Sequence, residues 1–265
     1  MDTSLNALRE KNAFICDMDG VIYHGNTLLP GVAEFVQWLT DNNKKYLFLT
    51  NSSERSPREL HLKLSRMGLD VSEDHFYTSA LATASFLGSQ CPGGSAYVIG
   101  EPGLVNALYD AGLAMNDYNP DYVVFGETRS LSYEKIEHAV KLVQRGAKLI
   151  GTNTDLTGPT DAGIMPACRA LIAPIELATG KTAYYIGKPN PLIMRHALKK
   201  IGSTRDESVI IGDRMDTDIV AGIESELDTI LVLTGVSTRE TVDLFPYRPD
   251  YILKGVGEIV GVKYE

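Results

Sequence analysis

Apolar residues recur along this chain in two alternating patterns. Short unbroken runs fit buried strands: Ala13–Cys16, then 45–49, 75–79, 96–99, 122–125, 148–151, 208–211, 229–233 and 251–253. Between them, apolar positions return every third or fourth residue, as on one face of a helix. Val32, Phe35, Val36 and Leu39 form one such set, Leu60, Leu64 and Met67 a second, and Ile136, Val140 and Val143 a third. Further helical spacing covers 81–87, 104–111 and 171–178 and resumes at Ile219, Val220 and Ile223.

Turn chemistry punctuates the series. Gly25-Asn26 predicts a tight turn inside a small hairpin or flap over 21–29, with Tyr23 and His24 riding on it. Ser56-Pro57-Arg58-Glu59 carries a capping-box pattern with Pro at the first helical position, and Gly68 is placed to close that helix. Cys91-Pro92-Gly93-Gly94 is a strong break, Gly112 and Gly146 end two helices, and Asn190-Pro191 caps another after Tyr184-Tyr185-Ile186-Gly187-Lys188-Pro189. The polar stretch 152–167, rich in Thr, Asp, Gly and Pro, is expected to be a long loop rather than an element. Alternating strand and helix predict an α/β fold, a Rossmann-like doubly wound parallel sheet, with βα units reused in both halves of the chain.

Composition narrows the function classes. The 265 residues are 44% hydrophobic and 22% charged, ordinary for a soluble globular protein of one large domain or two smaller ones. No apolar run approaches the roughly 20 residues needed to span a bilayer, so no membrane partner is expected. The first twelve residues are polar and lack the apolar core of a signal peptide, which leads to a cytoplasmic expectation. Cys16, Cys91 and Cys168 are odd in number and far apart, which suggests buried or idle thiols rather than a disulfide framework or zinc site. A net charge of −9 argues against a nucleic-acid polymer as partner and leaves a small charged substrate.

The candidate chemistry sits where strands end. The first apolar run stops abruptly in Asp17-Met18-Asp19-Gly20, and two carboxylates one residue apart repel unless a cation or shared proton offsets them. The second strand ends in Thr50-Asn51-Ser52-Ser53, a hydroxyl-rich and amide-rich stretch ahead of a helix N-terminus that favours an anion. Lys188 precedes a proline, and a later strand ends in Gly212-Asp213 with Asp218 shortly after. Each alone reads equally well as a solvated turn. Together, in a doubly wound sheet, they converge at one carboxyl edge, because neighbouring strands lie about 5 Å apart. Oxygen donors without His or Cys favour a hard cation, and Mg2+ is the usual one when few carboxylates share it with a phosphate.

These four motifs, in this order, resemble those of the haloacid dehalogenase superfamily of phosphotransferases, and within it the NagD-type phosphatases. The resemblance covers almost the whole chain. It implies that Asp17 is the nucleophile, forming an aspartyl-phosphate, and that Asp19 is acid toward the leaving alcohol and then base for water. The true dehalogenases lack the second aspartate, so Asp19 points to phosphoryl transfer. It further implies Mg2+ held by the Asp17 carboxylate, the Asp19 backbone carbonyl and Asp213. Phosphate would be bound by Thr50, Asn51, Ser52 and Lys188, with Asp218 orienting Lys188 or a metal-bound water. The implied architecture is a catalytic core over 1–79 and 184–265, with an α/β cap over 80–183 inserted after the third core strand. In that cap Asn153, Asp155 and Met165 are candidate substrate contacts. Thr152-Asn153-Thr154-Asp155 departs at Thr154 from the family's Thr-Asn-Pro-Asp, and Ala167 stands where many relatives carry glycine. The implied substrate is a small phosphorylated metabolite: nucleoside monophosphates such as UMP first, with breadth extending to 4-nitrophenyl phosphate, and sugar phosphates second. Caps of this kind could pair into a homo-oligomer, and no patch in the sequence marks where.

Two other classes compete. A non-catalytic phosphometabolite-binding protein would keep the scaffold, but none of Asp17, Asp19, Thr50, Lys188 or Asp213 is missing. A dinucleotide-binding oxidoreductase needs a glycine-rich phosphate turn, and Gly100-Glu101-Pro102-Gly103 offers only two glycines.

Overall fold

The computed structural model describes residues 3–160 and 163–264. It divides into two compact units, one of 1–50, 61–77 and 188–265, the other of 51–60 and 78–187.

The first unit is built on a six-stranded sheet. Across it the order is Tyr251–Leu253, Asp228–Val232, Ser208–Gly212, Ala13–Cys16, Lys45–Thr50 and Phe76–Thr78. Ala13–Cys16 pairs in parallel with Ser208–Gly212 on one side and Lys45–Thr50 on the other, Cys16 facing Ile211 and Phe48. The chain therefore starts in the middle, winds outward to one edge, and on its return winds outward to the other. The carboxyl end of Ala13–Cys16 lies at that reversal, where sheets of this class open a crevice for ligands. All four residues of the strand are buried, as strands covered on both faces must be.

The helix Val32–Asp41 buries Val32, Phe35, Val36 and Leu39, the four positions whose spacing predicts it. Phe14 meets its Phe35 and Trp38 edge-on at centroid distances of 5.9 and 5.6 Å. The predicted hairpin is present as Tyr23–His24 antiparallel to Thr27–Leu28, with Gly25 at φ 56° in the turn. Its Asp19 and Tyr23 ends form a bridge, and the Gly20 amide donates to Tyr23 O at 2.9 Å.

The second unit carries a five-stranded, all-parallel sheet ordered Tyr184–Tyr185, Lys148–Gly151, Tyr122–Phe125, Ser95–Ile99 and Ala114–Met115. It reverses direction in the same manner, between Ser95–Ile99 and Tyr122–Phe125. One core joins Val123 and Phe125 to Leu142 and Val143 of the helix Tyr133–Gln144 and to Ile172 and Ile175 of the helix Cys168–Thr179. The capping box at Ser56 is made: the Ser56 amide donates to Glu59 Oε2 at 2.8 Å, and the Glu59 amide to Ser56 Oγ at 3.3 Å. These bonds hold the Glu59 carboxyl below its usual range.

Several expectations are corrected. The stretch 152–167 is not a continuous loop, for Thr157–Thr160 and Gly163–Pro166 form an antiparallel hairpin with Gly158 opposite Met165. Its sequence lacks the period-two alternation of a strand with one buried face, and backbone pairing alone defines it. The polar N-terminal stretch contains the helix Thr3–Glu10, anchored by the fully buried Leu8. The two-residue edge strand Ala114–Met115 is too short to leave a periodic signal. The helix expected from Ile219 starts earlier, as a wide π-type turn over Met215–Ile219 that runs into Val220–Glu224. Among the described residues Cys16, Cys91 and Cys168 are free, and no helix is long and apolar enough to cross a membrane.

Phe14 is fully buried on the central strand, against Phe35 and Trp38, so Phe14→Ala removes a packed ring and leaves a cavity. It is expected to cost about 3–5 kcal/mol, read as a lower urea midpoint for the sheet's unfolding.

Candidate active site

Asp17 follows the central strand directly, and its amide continues the ladder by donating to Ile211 O at 2.8 Å. Its side chain therefore leaves the sheet at the reversal point. Lys188 reaches the same place from the second half of the chain. Its Nζ donates to Asp17 Oδ1 and to Asp218 Oδ1, both at 2.6 Å. The lysine side chain is 2% exposed, which ordinarily makes an ammonium untenable. Burial opposes its charge, but the two carboxylates outweigh that effect and raise its pKa, so Lys188 is a fixed cation.

The other carboxylates are held as firmly. Asp218 Oδ2 accepts from the Arg214 amide at 3.1 Å, within the π-type turn, while its Oδ1 meets Lys188. Asp213 Oδ2 accepts from the Val236 amide at 2.7 Å, and its backbone oxygen from the Ser237 amide at 3.0 Å. Gly20 and Gly235 bracket this carboxylate. A Cβ at Gly20 would lie 2.5 Å from Asp213 Oδ2, and one at Gly235 would overlap the Asp213 side chain. Gly20 also has φ +82°, a conformation in which glycine alone is unstrained.

Carboxylate oxygens of Asp17, Asp213 and Asp218 lie within 4.8 Å of one another, a grouping able to hold a metal ion. Of these three carboxylates Lys188 contacts two, Asp17 and Asp218. Burial first, then Asp218, pushes Asp213 up to about 7, with the Val236 amide and Lys188 pulling the other way. Asp17 is pushed well above the usual carboxylate range by burial, against the pull of Lys188, with Asp218 and Asp213 adding to the rise. A divalent cation relieves this crowding, and an all-oxygen donor set suits a hard ion.

Asp19 stands apart from that cluster. Its side chain is 49% exposed, with Oδ1 3.7 Å from His24 Nδ1 on the hairpin. His24 Nε2 lies 2.6 Å from Thr234 O; a carbonyl only accepts, so this nitrogen carries the proton and Nδ1 is the one turned toward Asp19. The Thr234 hydroxyl donates to Gly20 O at 2.6 Å. The loop 234–237 thus ties the Asp19 turn, the hairpin and Asp213 together. Sequence reasoning missed this loop; the signal was Thr234-Gly235, one more polar strand end at the same sheet edge.

Thr50 ends its strand at the same edge, and the chain passes from it to Asn51 and Ser52. Asn51 is buried in the second unit. Its Nδ2 donates to Asp155 Oδ2 at 3.1 Å, and its backbone oxygen accepts from Ser79 Oγ at 2.5 Å and Asn153 Nδ2 at 2.7 Å. Ser52 Oγ accepts from the Glu54 amide at 3.4 Å. Asn153 is fully buried and spends its polar atoms inside the unit, its Oδ1 accepting from the Asp155 amide at 3.0 Å. Met165 lies on the hairpin, its Sδ 3.8 Å from Arg129 Nη2. Ala167 adopts φ −105°, ψ −172°, ordinary extended backbone, so alanine fits there without strain. A buried acid absent from the sequence reading, Glu127, bonds to Ser53 and Asn153. Its signal was again an acid just past a strand end, in Gly126-Glu127-Thr128.

Comparison with known proteins agrees with this geometry. A family model described as haloacid dehalogenase-like hydrolase matches residues 14–114, and a HAD-hydrolase-like model matches 185–259. A dihydroxyacetone phosphatase of Corynebacterium glutamicum is 46% identical, over 93% of this chain and 90% of that protein. The ribonucleotide monophosphatase NagD of Escherichia coli K12 is 44% identical, over 92% of this chain and 96% of its own. The crystal structure of a 4-nitrophenylphosphatase from Thermotoga maritima superposes with a TM-score of 0.92 at 34% identity, covering 96% of this chain and 98% of that one. Full-length likeness, the doubly wound sheet and the acidic cluster at its reversal point agree: the chain belongs to the NagD-like phosphatases of the haloacid dehalogenase superfamily, and is a phosphoric monoester hydrolase.

Proposed function

We propose that the chain is a Mg2+-dependent phosphatase of nucleoside monophosphates, UMP foremost, with breadth that extends to 4-nitrophenyl phosphate. The observation that carries the reading is Lys188 buried between Asp17 and Asp218, with Asp213 beside them, at the end of the central strand. In this reading 1–79 and 184–265 form the catalytic core and 80–183 the cap that selects the leaving group.

The roles are those the family resemblance implies, and the positions of the residues support them. The Asp17 carboxylate attacks phosphorus, and the leaving alkoxide takes its proton from Asp19, which later accepts one from the water that hydrolyses the aspartyl-phosphate. Exposure of Asp19 suits a group that exchanges protons with alcohol and water. Lys188 supplies fixed positive charge to the phosphate, and Thr50, Asn51 and Ser52 supply hydrogen-bond donors to its oxygens. Asp218 holds Lys188 in place. The Asp17 and Asp213 carboxylates, with the Asp19 backbone carbonyl, fit Mg2+, which offsets the repulsion between phosphate and acidic site.

The relatives' names agree in the bond cleaved and differ in what leaves: dihydroxyacetone in one, a ribonucleoside in another, 4-nitrophenol in a third. Such variety favours a core specific for the phosphate and a cap that sets the preference. A sugar-phosphate substrate is the second reading. Site residues of the cap, Asp155 and Met165 with Asn153 behind them, belong to that selection.

Phosphate release from UMP, other nucleotides, dihydroxyacetone phosphate, sugar phosphates and 4-nitrophenyl phosphate tests both readings. UMP is expected to show the highest kcat/KM, and a higher value for a sugar phosphate installs the alternative. Release is expected to stop on chelation and return with Mg2+, and turnover that survives chelation refutes the metal assignment. Asp17→Asn is expected to fold and to lose activity by a factor of about 10³ or more; activity near wild type removes Asp17 as nucleophile. Gly235→Ala keeps permitted backbone dihedrals but drives a methyl into Asp213. It is expected to raise the Mg2+ concentration for half-maximal activity about 10–100-fold, and an unchanged Mg2+ dependence removes Asp213 from the ligands.

A further inference from the structure

Glu127 is a buried acid for which the reaction described above has no use. It follows the strand Tyr122–Phe125 in the second unit, is 6% exposed, and among the described residues has no cationic partner. Burying a carboxylate without a counter-charge is costly, and a fold that needed only packing here would do better with an apolar residue.

What surrounds it is a set of donors. Glu127 Oε2 accepts from the Ser53 hydroxyl at 2.6 Å and from the Ser53 amide at 3.3 Å. Glu127 Oε1 accepts from Asn153 Nδ2. The same Asn153 amide group donates to Asn51 O at 2.7 Å, and its orientation is forced, because Asn153 Oδ1 is taken by the Asp155 amide at 3.0 Å. Both oxygens of Glu127 therefore face donors, of which the Ser53 hydroxyl can rotate but the Ser53 and Asn153 N–H groups cannot turn away. A glutamine has one acceptor oxygen, and either orientation would set its amide against another donor.

The consequence falls on 51–53. Pinning the Asn51 carbonyl fixes the plane of the 51–52 peptide, and with it the direction of the Ser52 N–H. Pinning the Ser53 amide fixes the next plane. The seat is built for this segment. In the second sheet, the crevice between the ends of Ser95–Ile99 and Tyr122–Phe125, where such sheets bind ligands, is filled by the chain itself. The Gly103 amide donates to Glu54 O at 3.2 Å. A Cβ at Gly103 would lie 2.5 Å from that oxygen, and one at Gly126 would overlap Ser53 Oγ.

We infer that Glu127 is a positioning residue for the phosphate-binding segment, holding 51–53 so that its donors meet the phosphoryl group common to all substrates. The inference rests on the assignment of Asn51 and Ser52 to the phosphate. It separates Glu127 from the specificity residues of the same unit, because phosphate geometry does not depend on the leaving group.

The test uses the full chain as wild type, Glu127→Gln, Ser53→Ala and the double variant. It measures kcat and KM on 4-nitrophenyl phosphate and on the best natural ester, the Ki of inorganic phosphate as product inhibitor, and cooperative thermal unfolding. Glu127→Gln is expected to lower kcat/KM about 10²-fold by the same factor on both esters and to raise the Ki of phosphate. The double variant is expected to be no worse than Glu127→Gln, since both changes cut one contact. Unchanged kcat/KM and Ki overturn the inference, and so does a loss confined to one ester or an additive double variant. Should Glu127→Gln fail to fold, Ser53→Ala decides: losses on both esters with a raised Ki support the inference, and wild-type values overturn it. A wild-type chain that releases no phosphate from either ester overturns the phosphatase assignment beneath it, an outcome distinct from any difference among variants.

Discussion

The buried ammonium of Lys188 is the constraint to which the first unit answers. A lysine in a dry interior survives as a cation only with anions in contact, and Asp17 and Asp218 supply two at 2.6 Å. The three groups come from the first strand end, the segment that re-enters this unit, and the turn after Ser208–Gly212, so the ion pair closes only when the sheet is assembled in register. Breaking such a pair by removing one partner costs about 3–5 kcal/mol, which makes this charged cluster part of the fold's own cohesion. The converse also holds. Because three carboxylates crowd one buried lysine, the cluster is one that a divalent ion would complement.

Much of this was legible in the sequence because the site is made of strand ends. Short apolar runs locate parallel strands well, and the residue after each run is then at the carboxyl edge by construction. Asp17, Thr50 and Asp213 could be placed together that way, and the capping box at Ser56 and the cap at Asn190 were readable from three or four residues. Partnerships between distant segments were not. Nothing in Gly-Glu-Thr announces that Glu127 turns toward Ser53, and nothing in Thr-Gly-Val announces that Val236 donates to Asp213. Those contacts depend on which strands become neighbours, a property of topology rather than of local pattern. The hairpin Thr157–Pro166 failed for a different reason: strands without a buried face have no hydrophobic period to read.

Polar interactions in the two units solve opposite problems. In the first, carboxylates crowd one lysine, and the structure leaves negative charge in excess at the end of the central strand. In the second, one carboxylate is surrounded by neutral donors, and every side-chain polar atom of Asn153 and Glu127 is engaged. An unbalanced site binds ions; a saturated one binds its own backbone and makes it rigid.

The membership of 51–60 in the second compact unit bears on how such enzymes could exchange parts. Read along the chain, the obvious module is the continuous stretch 78–187, and recombination between relatives would transplant that block. The block alone would arrive with Glu127 and Asn153 shaped for a Ser53 and an Asn51 that stayed behind in the host. The compact unit is therefore discontinuous, 78–187 together with the ten residues 51–60. Exchange of that unit between relatives is restricted to partners whose strand-end segments already match.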